Sequence, residues 1–244
     1  MNHQLTPINL KIPRPLTVTR TLLVTIGILL SLSLCSQLVK YGTGHDTVFG
    51  IIPLFYVDYE ANLPTWYSSI ALLTASLVLC FIALSKRVQQ DRYTFHWFFL
   101  SGLFFLLSID EVATIHECAI EPMRKIVDAQ GVLHYAWVIP GGIFVLMVAG
   151  FMFRFLISLP ARTRNLFVLA GVVFVGGAIG VEMISAFHAY SHGEKNLLYS
   201  LIITLEEAME MLGVIIFIHA SLEYLCDNVQ SFQIELPHEQ KAAG

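Results

Sequence analysis

Residues 197–222 read LLYSLIITLEEAMEMLGVIIFIHASL. Their length and composition match a membrane crossing, which needs about 20 predominantly apolar residues. Yet Glu206, Glu207 and Glu210 interrupt the stretch, and it contains no lysine or arginine. An ionised carboxylate in hydrocarbon costs at least a few kcal/mol unless it is paired, protonated or metal-bound. The segment therefore implies both a helix in lipid and a neutralising partner for its acids elsewhere in the bundle.

Five more stretches of the same kind lie upstream, at about Thr21–Val39, Tyr67–Leu84, Thr94–Ile109, Tyr135–Leu159 and Asn165–Phe187. They are too long and too evenly apolar for barrel strands, which alternate over about ten residues. Lipid supplies no hydrogen bonds, so each must be helical. The chain has 244 residues, of which 56% are hydrophobic and 13% charged, against roughly 25% charged in soluble domains. That ratio excludes an ordinary soluble enzyme and a disordered chain. A net charge of −4 offers no basic footprint for nucleic acid. The expected fold is all-α: a polytopic membrane bundle of six transmembrane helices.

Orientation follows from the basic residues of short loops. Lys11, Arg14 and Arg20 precede the first span, Lys86, Arg87 and Arg92 follow the second, and Arg154, Arg162 and Arg164 separate the fourth from the fifth. The opposite loops hold only Lys40, Arg124, Lys125 and Lys195. Both termini are thus expected in the cytoplasm, with the chain in a bacterial inner (plasma) membrane. The apolar N-terminal stretch lacks a small-residue cleavage site and reads as an uncleaved first helix. The expected layout is a cytoplasmic segment at 1–20, one membrane domain at 21–229 and a frayed polar tail at 230–244. The loop at 43–66 is rich in aromatics and is expected to lie along the outer surface, with a short helix capping the bundle and Asp58 and Glu60 facing water or its mouth. Cys35 and Cys118 fall on the same, outer side, where a disulfide is feasible; four unpaired small apolar residues is the simpler reading.

The strongest functional signal is the set of intramembrane acids. Asp110, Glu111 and Glu117 belong to the third span, Glu182 to the fifth, and Glu206, Glu207 and Glu210 to the sixth, with His116 and His188 nearby. At 1.5 Å per residue, Asp110 and Glu182 lie about 24 and 27 Å from the inner ends of their helices, and Glu206 about 14 Å from the outer end. All three heights fall in the outer half of the bundle. On a continuous helix Asp110, Glu117 and Glu121 share one narrow face, with Glu111 and His116 flanking it. Gly171, Gly176, Gly177, Ala178 and Gly180 on the fifth span would let neighbouring helices approach closely.

Gathered carboxylates cannot all stay ionised without compensation, and mixed Glu and His donors suit iron, manganese or zinc. The leading expectation is a membrane metal-dependent enzyme with one or two ions held by Asp110, Glu117, Glu182, His188, Glu206 and Glu210. Glu111, His116 and Glu207 would be further ligands, supporting partners or a general base. Two redox metals imply oxidation of a lipid-soluble substrate, and zinc implies hydrolysis by a metal-activated water. Two alternatives use the same acids: a proton-coupled or divalent-cation transporter, and a non-catalytic accessory subunit whose polar core only locks the bundle. The inner halves of the helices look dry, which weighs against a complete pathway. His96 and His219 are read as interfacial rather than as a haem pair, and Pro140 with Gly141 and Gly142 as a kink in the fourth span. The strings NLPTW (62–66) and SIDEVATIHE (108–117) resemble stretches of uncharacterised bacterial multi-pass membrane proteins, a resemblance that implies no activity.

Overall fold

The computed structural model describes residues 13–228, together with the backbone of 8–9 and 233–234. The described chain forms helices α1 (Pro15–Thr43), α2 (Ile51–Phe55), α3 (Leu63–Val88), α4 (Thr94–Ala113), α5 (Ile120–Val127), α6 (Val138–Ser158), α7 (Ala161–Val175), α8 (Glu182–His192) and α9 (Leu197–Asn228). Short 3-10 turns occupy Ile115–Ala119 and Gly131–Leu133. A π-helical turn, Gly176–Val181, links α7 to α8, so Ala161–His192 runs as one long element. Ile8 and Asn9 pair antiparallel with Ile234 and Gln233. The remainder of the expected N-terminal segment and polar tail lies outside the described residues.

Among the described residues, five elements are long and apolar enough to cross a membrane: α1, α3, α4, α6 and Ala161–His192. Large apolar side chains stand exposed around them, among them Leu23, Ile28, Leu77, Leu146, Phe153 and Val172. The chain is therefore a multi-helix protein of integral-membrane type. Helix α9 lies against α1, α3, α7, the π turn and α8.

Several expectations need correction. The third span ends at Ala113, because Thr114 adopts a left-handed conformation with φ 47°. Glu117 and Glu121 therefore do not continue the face of Asp110. Pro140 falls in the first turn of α6 rather than midway along it. There its missing N–H costs no internal bond, and it marks a helix start instead of a kink. The fifth span is longer than expected and contains the π turn. All four cysteines are free, as the simpler of the two readings had it. The short helix expected in the outer loop is present as α2.

Three interactions set the helix positions. Helices α3 and α4 exchange serine bonds to each other's backbone. Ser69 Oγ donates to the Ser108 carbonyl at 2.8 Å and Ser108 Oγ returns a bond to the Ser69 carbonyl at 2.8 Å. Seven residues further along, Ser76 and Ser101 do the same at 2.8 and 2.9 Å. Secondly, Trp97, Phe155, Phe167, Phe217 and Tyr224 form an aromatic core from α4, α6, α7 and α9, with ring centroids 4.4–6.1 Å apart. Thirdly, a Cβ added to Gly213 of α9 would stand 2.7 Å from Phe174 Cβ and 2.8 Å from Phe174 N on α7.

This third contact leaves no room for a methyl group. Gly213→Ala is expected to cost about 1–3 kcal/mol through forced helix separation and to lower the thermal midpoint in micelles. Gly171→Ala, where a Cβ meets nothing within 4 Å, is expected to lose nothing. Equal melting of both variants by circular dichroism would contradict the contact.

Candidate functional site

The glutamates of α9 sit against the π turn. A Cβ at Gly177 would lie 2.9 Å from the Glu206 carbonyl oxygen and 3.1 Å from Glu210 Cγ. The missing side chain thus lets the acid-bearing turn of α9 press against Ala161–His192, as the glycine pattern predicted. Of that pattern Gly171 and Gly180 face open space. The π turn widens the backbone just before Glu182, and single π turns of this kind recur at functional sites.

Glu182 opens α8 and accepts a 2.6 Å hydrogen bond from Trp137 Nε1. Gly141 makes that indole position possible, since a Cβ there would meet the Trp137 ring at 2.7 Å. Ser185, one turn beyond Glu182, donates at 3.3 Å to Glu206 Oε2. His116 also packs on Trp137, its ring centroid 4.7 Å from the indole. Asp110 folds the chain back to place it. Its Oδ1 accepts from the His116 backbone N–H at 2.9 Å, and its Oδ2 lies 2.8 Å from His116 Nδ1. Burial alone would lower the His116 imidazole, but the hydrogen bond and charge of Asp110 outweigh it and hold it above its ordinary value.

The remaining acids converge. Glu210 lies within electrostatic reach of Glu207, Glu111, Glu206 and Glu182, and Glu207 of Glu111, Glu206 and Glu182. Glu111 and Glu210 line a crevice of about 10 Å³ with Ser68, Leu72, Phe174 and Met211, scarcely room for one water. The Ser68 hydroxyl is buried and lies toward the Glu111 carboxylate. Met211 also belongs to an apolar layer with Ile26 and Ile215, which meets the aromatic core cluster through Leu22.

Above the glutamates lies a polar mouth. Asn62 caps α3 by accepting from the Thr65 N–H at 3.0 Å, and its amide donates to the carbonyls of Tyr56 and Tyr59 at 2.7 and 2.6 Å. The hydroxyls of Tyr41 and Tyr56 both meet Ser200 Oγ, and Tyr135 bonds Tyr199 and Glu194 at 2.8 Å each. Lys40 donates to Tyr59 Oη at 2.7 Å and lies 4.5 Å from the centroid of the Tyr56 ring. Asp58 lines an open cleft of about 610 Å³ with Gly50, Pro53, Leu54, Tyr59, Glu60, Ala61 and Asn62. Burial pushes the Asp58 carboxyl up to about 6, against the pull of Lys40 and with the help of Glu194.

The structure thus groups Glu111, Glu182, Glu206, Glu207 and Glu210. It leaves Glu117 exposed on the 3-10 turn beside Glu60. His188 turns instead to Asn196 Oδ1 at 2.9 Å and stacks on His192. Asp110 has both oxygens engaged by His116. Among the described residues no three His, Cys, Asp or Glu side chains form a group that could hold a metal ion as they stand. The sequence reading did not single out Trp137, Ser68, Lys40 or the tyrosines of the mouth. Only Asn62 carried a local signal, an asparagine two residues before a proline at a helix start.

The Asp58 carboxyl gives a pH test. Its ordinary value is 3.8, so the folded chain binds this proton more tightly than the unfolded one. Its ionisation therefore opposes folding above about pH 6, by at most about 3 kcal/mol, and the opposition vanishes below about pH 4. Asp58→Asn is expected to raise the thermal midpoint in micelles at pH 7.5 and to leave it unchanged at pH 4. A shift of the same size at both pH values would refute the assignment.

No curated protein and no solved structure matches the chain. A family model described as Domain of unknown function (DUF8692) matches residues 20–225, and the chain belongs to that family.

Proposed function

We propose that the chain is a multi-pass membrane protein that handles cations at a glutamate centre open to the outer side. Protons or a divalent cation enter through the polar mouth and are held by Glu111, Glu182, Glu206, Glu207 and Glu210. The observation that carries this reading is the convergence of five glutamates from α4, α8 and α9, with no lysine or arginine among their electrostatic neighbours and only His116 as a basic side chain, beside Glu111 and Glu182. Such a group must be neutralised by something mobile. The apolar layer at the crevice is then a closed inner barrier, as a transport centre requires between its two access states. In this reading α9 is a sixth span, both termini are cytoplasmic, and the membrane is the bacterial plasma membrane.

A second reading keeps the metal-dependent enzyme. It is favoured by the donor set itself, five grouped carboxylates of which Glu111 and Glu210 line the crevice beside Ser68. With His188 turned away and His116 engaged by Asp110, the donors are oxygen only. That favours manganese or iron over zinc, and oxidation of a lipid-soluble substrate over hydrolysis. Glu207 would then be a ligand, and His116 would serve as a proton-holding partner.

The two readings separate in one preparation. The transport reading expects proton or Mn²⁺ flux in proteoliposomes that falls at least about tenfold in Glu206→Gln, without tightly held metal after purification. The enzyme reading expects no flux, and near-stoichiometric iron or manganese by elemental analysis that is lost in the same variant. Absence of both flux and metal overturns both and leaves the acids a structural role.

A further inference from the structure

We propose that Asp58 is the relay through which small cations pass from the outer cleft to the glutamate centre. The proposal rests on the cation-handling reading of that centre and adds its route of access. Asp58 belongs to two places at once. Its side chain lines the cleft with Pro53, Leu54, Tyr59 and Glu60, and the same carboxyl lies within electrostatic reach of Glu206 and Glu207. Glu60, its acidic neighbour in the cleft, is exposed and reaches Glu111 and Glu117 rather than Glu206 or Glu207.

The local backbone holds the carboxyl in this position. The Asn62 amide clamps the carbonyls of Tyr56 and Tyr59, which flank Val57 and Asp58. The Val57 N–H is fixed in turn by Ser33 Oγ at 3.2 Å. Asp58 is therefore carried on a turn tied to both α1 and α3. Its natural counter-charge is diverted: Lys40 donates to the Tyr59 hydroxyl and lies against the faces of Tyr56 and Tyr59. Among the described residues no hydrogen bond or ion pair closes on the Asp58 carboxylate. A partly buried carboxylate without a fixed partner, at the boundary of an open cleft and an acidic interior, is a transient seat for a cation. It attracts positive charge, and it binds too weakly on its own to keep it.

The route is tested on the full chain in micelles with two carbodiimides, both of which modify protonated carboxyls. One is a water-soluble cationic reagent and the other is neutral dicyclohexylcarbodiimide. Modification of Glu206 and Glu207 is read by peptide mass spectrometry. In the wild type both reagents are expected to reach these glutamates. Asp58→Asn is expected to slow the cationic reagent about tenfold while the neutral one keeps its rate, which also shows that the bundle is intact. Asp58→Ser gives the same contrast if the amide perturbs the turn, and Glu60→Gln is expected to change neither rate. An unchanged ratio of the two rates in both Asp58 variants, or a wild type labelled by the neutral reagent alone, overturns the proposal. Labelling needs neither flux nor bound metal. A failed relay and a failed cation-handling centre are therefore distinguished by comparison with the proteoliposome and elemental measurements.

Discussion

At Gly177 and Gly213 no side chain separates α9 from the long helical element beside it, and the site depends on that direct contact of backbones. In hydrocarbon there is no hydrophobic drive to press helices together, so close packing of small residues carries the association. Here the contact also has an electrostatic consequence. It holds Glu206 and Glu210 against the π turn and brings Glu182 within reach of both. Attraction between backbones forces repulsion between carboxylates. That repulsion is tolerable only while protons or cations are present to offset it.

The surroundings of the glutamates are sharply unequal along the bundle. Toward the α2 end stand hydroxyls, amides and one lysine, from Tyr41, Tyr56, Tyr135, Tyr199, Ser200, Asn62 and Lys40. Toward the opposite end stand aliphatic side chains and then stacked aromatics. The acids are not scattered polar faults in an apolar core. In the proposed reading they form the floor of a polar compartment reached from the cleft.

Much of the architecture was readable in the chain because lipid enforces a simple rule: long apolar runs become helices. The convergence of acids from three elements was also readable, through helix rise and the absence of basic residues. What escaped was set by tertiary contacts. Thr114 is β-branched and carries no turn signal, yet it takes a left-handed conformation because Asp110 offers the following backbone an alternative set of hydrogen bonds. That break removed Glu117 from the expected face and turned Asp110 from a ligand candidate into a cap. The π turn was hidden because apolar periodicity does not register one inserted residue among glycines. His188 was expected as a ligand beside Glu182, but Asn196, beyond the end of its helix, holds it near Gly193.

The reciprocal serine bonds between α3 and α4 have a mechanical consequence. Two clasps, seven residues apart on each helix of the antiparallel pair, leave no small sliding motion that preserves either one. The pair is coupled like two rails bolted at two points, and displacement of one carries the other. Asn62 at the head of α3 and Glu111 near the end of α4 therefore ride on one rigid unit. Any rearrangement that opens the floor of the compartment must come from the elements facing that unit.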